Sequence, residues 1–215
     1  DEFVLPPLAV HHLQAELKIG GRHIELANAT GQVYGGTLAG SVVADLQSPP
    51  SYKVNAAFSR VDLAGLTAAS PELANLFDGT ADGKISVTAS GATRSDLIAS
   101  LGCQGQADFA GPAIHGIDLV SSLHASALVP GASRFSKASG SFTCSDKSIQ
   151  VQNLSLGAPG PDIAGFGAIT FSRDLDLRLH FVSSAPKSAE PSYRITGSLA
   201  SPKIARIAPP TRRSR

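Results

Sequence analysis

The stretch that most limits what this chain can become runs from Asp174 to Phe181. Leu175, Leu177, Leu179 and Phe181 alternate there with Asp174, Asp176, Arg178 and His180. Side chains of a strand point alternately to opposite faces, so this run makes one dry face and one wet face. A helix would spread the same leucines around its circumference. The same period recurs in Leu13–Ile19, His23–Asn28, Val54–Phe58, Lys84–Ser90, Gln104–Ala110, Ser148–Leu156 (with a slip at Asn153) and Tyr193–Leu199. Between these runs stand turn signals such as Gly20-Gly21 and Ser48-Pro49-Pro50. With 21 Gly and 14 Pro in 215 residues, the chain has the turns that many short strands require. The expected fold is mostly β: an elongated, curved antiparallel sheet, groove-like or incompletely closed, with two or three short helices.

The helix signals are short. Ser70-Pro71 can cap a turn over Glu72–Phe77, and Asp78-Gly79 can end it. Ser95 can cap Asp96–Leu101, with Gly102 closing it in the left-handed region. Asp118–Leu128 has helical spacing, with Leu119, Leu123 and Ala127 on one side, and Pro130-Gly131 stops it. Gly111-Pro112 is expected to break the strand that ends at Ala110, and Gly140 to interrupt a strand over Arg134–Thr143.

Composition narrows the function classes. A net charge of +1 implies no broad basic face, which argues against nucleic acid as a partner. Charged residues are 16 %, below the usual quarter of a soluble domain. No apolar run reaches membrane-spanning length. The chain starts at Asp1 in what reads as the middle of a strand pattern, so it is expected to be a fragment of a longer protein. A domain over residues 1–204 is expected to be followed by a basic, disordered tail over 205–215.

The chemistry-bearing residues form no motif. His11, His12, His23, His115, His124 and His180 lack the spacing of a metal site. Asp78–Gly83 begins like a calcium loop, but position twelve is Ala89 where a bidentate Glu is needed. Gly131–Phe135 lacks the second glycine of a nucleophile elbow. No phosphate-cradling glycine motif is present. No catalytic residue, metal or cofactor is therefore assigned, and an enzyme is not expected. Cys103 and Cys144 can form a disulfide if their strands pair in an oxidising space; two small buried thiols are the commoner arrangement.

One order of parts is specific. Val61-Asp62-Leu63 is followed by Phe77-Asp78-Gly79 with Gly83, then Leu97–Gly105, then Ile114–Leu119 ending in Gly-Ile-Asp-Leu. Val33-Tyr34-Gly35-Gly36 precedes this set and Ile195–Lys203 follows it. This resembles the C-terminal region of AsmA-family proteins of the bacterial envelope. Two departures stand out: Asp78 displaces the usual Leu before the first glycine, and Cys103 sits where a smaller residue is usual. The resemblance implies a membrane anchor and a long β-rich body N-terminal to this piece, on the periplasmic side of the inner membrane. It also implies a non-enzymatic role in phospholipid transport between membranes or outer-membrane assembly. Its partners would be phospholipid or another acyl lipid, the missing N-terminal part and other envelope proteins.

A curved sheet must do something with its apolar face. A second sheet or the helices can cover it, giving a sandwich-like interaction module that pairs by a strand edge. Left open, it is a groove for acyl chains, gaining about 0.8 kcal/mol per methylene transferred from water. The resemblance favours the groove. Its candidate lining is Ile85, Val87, Ile169, Phe171, Leu175, Leu177, Leu179 and Phe181, residues that could equally be sealed core.

Overall fold

A computed structural model describes residues 2–5, 8–68, 70, 73–182 and 191–207. Fourteen strands form one sheet, and three short helices sit at its two rims. The strands are β1 (Glu2–Leu5), β2 (Leu8–Gly20), β3 (His23–Val33), β4 (Gly36–Asp45), β5 (Ser51–Asp62), β6 (Phe77–Ser90) and β7 (Gly102–His115). After these come β8 (Ala132–Arg134), β9 (Lys137–Ser145), β10 (Ser148–Leu156), β11 (Ile163–Thr170), β12 (Asp174–Phe181), β13 (Ser192–Ser198) and β14 (Ser201–Ile207). Helix α1 is Leu63–Ala68, α2 is Arg94–Ala99 and α3 is Leu119–Ala125.

The topology is a meander. Each strand pairs antiparallel with the next, except that β7 pairs with β9 and the short β8 lies off the path beside β7. Tight turns make this possible. Tyr34 and Gly35 have φ of 44° and 74°, and Asp146 and Lys147 have 50° and 57°. Two consecutive positive φ values are the mark of the type I′ hairpin, whose twist matches that of its flanking strands. The slip at Asn153 is a bulge: the register shifts between Val151 and Leu154, and Asn153 has φ 51°.

Several sequence expectations are corrected. Leu73–Leu76 is a hydrogen-bonded turn and Phe77 already belongs to β6, while residues 71 and 72 lie outside the described ones. The first helix instead precedes this turn, as α1. The second is Arg94–Ala99, two residues early, because Thr93 caps it and Asp96 completes a reciprocal capping box. Gly102 opens β7 rather than closing that helix. Gly111-Pro112 does not end β7: the strand bulges opposite Gly79, and Gly111 N–H bonds the Ser136 carbonyl. Gly140 does not interrupt β9, which pairs on both sides of it. The third helix closes at Ser126, φ 53°, short of Leu128. The last strand reaches Ile207, so residues 205–207 pair with β13, and the rest of the expected tail lies outside the described residues.

The packed core gathers around α3. Leu119 and Leu123 of that helix pack with Phe135, Ala138, Leu156, Ile163, Leu175, Leu179, Phe181, Tyr193 and Ile195. Because α3 touches both β8, at the β7 side, and β14, at the far edge, the sheet between them curls around the helix. The helix is fixed by its own polar groups. Asp118 caps it, accepting from the backbone N–H and the hydroxyl of Ser121, which hold its carboxyl below the usual range. Ser122, fully buried, donates to the Asp118 carbonyl and accepts from Val129 N–H. Ser133 of β8 accepts from Leu119 N–H and donates to the Ile117 carbonyl, each at 2.7 Å. Buried hydroxyls so paired avoid the cost of orphaned polar groups.

Leu123 is completely buried. Leu123→Ala is expected to cost about 2–5 kcal/mol, measured by urea unfolding, whereas the exposed Ile98→Ala should change stability by less than about 0.5 kcal/mol.

Candidate functional site: the apolar face of the sheet

Register converts the alternation of single strands into continuous rows. One row of paired residues reads Leu17, Leu26, Val42, Val54, Val87, Cys103, Cys144, Ile149, Ile169, Leu175. It crosses the sheet from β2 to β12 with an apolar residue or half-cystine on every strand. A second row reads Gly40, Ala56, Ile85, Gly105, Phe142, Val151, Gly167, Leu177, Ile195, Ile204. Nearer the α3 rim, Val61, Ala81, Phe109, Ala138, Leu156, Ile163 and Phe181 make another. The opposite face carries the polar partners, for example Asn55, Ser86, Gln104 and Thr143 in one row. There Arg194 grips Asp176 with two 2.8 Å hydrogen bonds, which hold the Asp176 carboxyl below its ordinary value.

The candidate lining residues, from strands far apart in sequence, meet on this one face. Ile85, Val87, Ile169, Leu175, Leu177, Leu179 and Phe181 all belong to its rows. Their surroundings differ. Leu175, Leu179 and Phe181 are buried in the core under α3, and Leu177 and Ile169 pack against that core. Phe181 also stacks on His124 of α3, with ring centroids 4.8 Å apart. Phe171 lies past the end of β11 and is exposed. Ile85 and Val87 are half-buried, in a part of the face that α3 does not reach.

Over β2 to β7 the described residues form a single layer. Among the described residues the strands that touch substantially are in-sheet neighbours throughout, and α1 and α2 pack at the rims of this half, while Phe109 and Ile114 of β7 reach the core under α3. The apolar face is closed at the α1 rim, where Val10, Val33, Val61 and Ala81 are buried. A shallow, open depression of about 710 Å³ crosses the middle of the sheet from β4 to β10, and its lining takes residues of both phases, among them Ile85 and Phe142 of the apolar rows and Asn55, Ser86, Gln104 and Thr143 of the polar one.

Two glycines shape this face. A Cβ on Gly83 would come 2.6 Å from the Phe58 ring, and one on Gly105 would come 2.6 Å from the Phe142 ring. Each phenyl therefore lies down on the strand beside it, which is possible only over glycine. The sequence held the signal, since Gly83 and Gly105 sit in apolar-phase positions of alternating runs. Only the register reveals which ring covers which glycine.

Cys103 and Cys144 are direct partners of β7 and β9, with Cα atoms 4.6 Å apart, and are joined by a disulfide. The bridge lies in the first apolar row. It spans the junction where the chain leaves the sheet to make α3 and β8 and then returns, 41 residues later.

Among the described residues no three of His, Cys, Asp and Glu are placed to hold a metal ion. His115 and Asp78 meet at 2.6 Å, an exposed contact at the α3 rim that brings β7 and β6 together. No described helix is long and apolar enough to cross a membrane.

A family model described as the AsmA family matches residues 1–156. No curated protein and no solved structure matches the chain.

Removing the bridge as Cys103→Ala/Cys144→Ala is expected to lower stability by up to about 4 kcal/mol, the chain-entropy value for a closed loop of this length. Denaturant unfolding of wild type with and without reductant, beside the double variant, measures it. Equal midpoints in all three would mean that the bridge adds nothing.

Proposed function

The chain belongs to the AsmA family, and from that premise we propose that it is a non-enzymatic part of bacterial envelope biogenesis that holds acyl lipid on the apolar face of its sheet. The observation that carries this reading is the single-layered stretch of apolar rows over β2 to β7. An acyl chain laid on it gains about 0.8 kcal/mol per methylene, and no reactive group is needed. Ile85, Val87, Val54 and Phe58 are the residues assigned to that contact. Leu175, Leu179 and Phe181 serve as core and are not assigned to it.

Phospholipid moving between the inner and outer membranes is the substrate proposed, with the domain on the periplasmic side of the inner membrane. The disulfide supports that compartment, since such bridges persist in oxidising spaces. A second reading concerns a protein partner. Beyond its pairing with β1, the outer edge of β2 past His11 has no neighbouring strand among the described residues. Such an edge can accept a strand from the N-terminal part of the same protein or from another envelope protein. The sandwich architecture once open to that reading does not apply, because the sheet has one layer here.

Native mass spectrometry of the purified protein is expected to reveal co-purified phospholipid. Ile85→Glu, which places a carboxylate in the middle of the face, should reduce it at least fivefold while leaving the unfolding midpoint nearly unchanged. Wild-type protein that is free of lipid after mild purification would count against the groove.

A further inference from the structure

The wet face of the sheet carries two adjoining rows with almost no charge. One reads Ser41, Asn55, Ser86, Gln104, Thr143, Gln150. The other reads Ala39, Ala57, Lys84, Gln106, Ser141, Gln152. From β4 to β10 the two rows hold a single charged side chain, Lys84, whereas a solvated surface ordinarily mixes charges of both signs. The depression in the middle of the sheet opens between these rows. Both rows line it. The dry rows on either side of Ile85 do not, neither Val54, Val87 and Cys103 nor Phe58 and Ala107. Gly40, Ala56, Ile85, Gly105 and Phe142 are therefore its floor, with side chains that belong to the opposite face.

A second open depression, of about 730 Å³, continues the first over β10 to β12. Gln152 lines both, and Gln150, Asn153, Phe166 and His180 line the second. Phe166 is 52 % exposed. Among the described residues it is the only large apolar side chain so exposed that a strand presents to the wet face. The fold gains nothing from leaving this ring in water. The polar groups along the trough are available as well. Ser86 donates to Asn55 Oδ1 at 2.9 Å, which leaves the Asn55 amide hydrogens unpaired. The side chains of Gln104, Thr143 and Gln152 make no hydrogen bond among the described residues.

We infer that this trough binds a linear, uncharged glycan whose pyranose rings are joined equatorially into a flat ribbon. Side-chain amides and hydroxyls both donate and accept, as sugar hydroxyls do. Uncharged groups also give up water at less cost than ions. A flat ribbon has C–H faces above and below and hydroxyls along both edges. Laid across the strands, it sets one C–H face on the glycine backbone and alanine methyls and one hydroxyl edge against each polar row. Phe166 supplies a ring on which the C–H face of a sugar at the end of the ribbon stacks. At about 4.8 Å per strand, β5 to β10 spans roughly 19 Å, room for several linked rings. A coiled glycan offers no such flat face. The proposed lipid contact uses the other side of the sheet, so neither reading depends on the other.

Titration of isotope-labelled protein with cellohexaose and chitohexaose, which share a flat β-linked backbone, tests this by nuclear magnetic resonance. The side-chain amide signals of Asn55, Gln104 and Gln152 are expected to shift and to saturate at or below about 1 mM glycan. The backbone amide of Leu123, in α3, should stay in place. Response to one of the two glycans alone would sustain the inference and identify the sugar. Maltohexaose, whose α-linkages coil the chain, should bind at least tenfold more weakly. Phe166→Ala and the pair Gln104→Ala/Gln152→Ala, followed at the Asn55 amide, should each lower association about fivefold or more. Leu17→Ala, on the dry face, should bind like wild type, and melting curves establish that each variant is folded. No shift with either β-linked glycan, equal binding of maltohexaose, or trough variants that bind like wild type would each overturn the inference.

Discussion

Antiparallel register is the constraint on which the rest of this molecule depends. A strand with alternating side chains has a dry face wherever it goes, but a sheet has one only if every pair is in phase. A slip of one residue would turn a strand's apolar set to the wet side. Here the phase holds from Leu17 on β2 to Leu175 on β12, across tight turns and around bulges. The bulge at Asn153 shows how. It lets β10 absorb its one extra residue in one place, so that Val151 and Leu156 both remain on the apolar face.

The same face is used in two ways. Around α3 it is conventional core, with the sheet curling until strands at both ends of the curl touch one helix. Over β2 to β7 it has no second layer among the described residues. The disulfide sits between these regimes, joining β7 to β9 where the backbone detours through α3 and β8. It fixes the seam that local turn geometry does not, because these two strands are not joined by a hairpin. Family membership and an apolar sheet face that no other described residue covers are the two findings from which the proposed lipid-holding role is argued.

The strand content and the facing of side chains were legible in the sequence because period-two alternation is a direct imprint of the pleat. Leu175 to Phe181 announced its dry face without ambiguity. Short helices were read less well. Ser95 looked like a cap, yet Thr93 is the cap because Asp96 can reach back to it from the third helical position. Gly111-Pro112 looked like a break, yet β7 accommodates it as a bulge with Gly111 in positive φ. Which apolar residues are sealed and which stay half-exposed was beyond reach. That depends on where α3 lands, a long-range outcome that Leu175 and Ile85 do not encode locally. The pairing of Cys103 with Cys144 depended in the same way on β7 finding β9.

The most direct measurement of the account places a photoreactive benzophenone amino acid at Ile85 or at its neighbour Ser86, which projects to the other face and bonds Asn55. Irradiation of the protein in lipid-containing extract, followed by mass spectrometry, is expected to give phospholipid adducts from position 85 and essentially none from position 86. Equal adduct yields from the two faces, or none from either, would contradict the claim that one continuous dry face is where this protein meets its lipid.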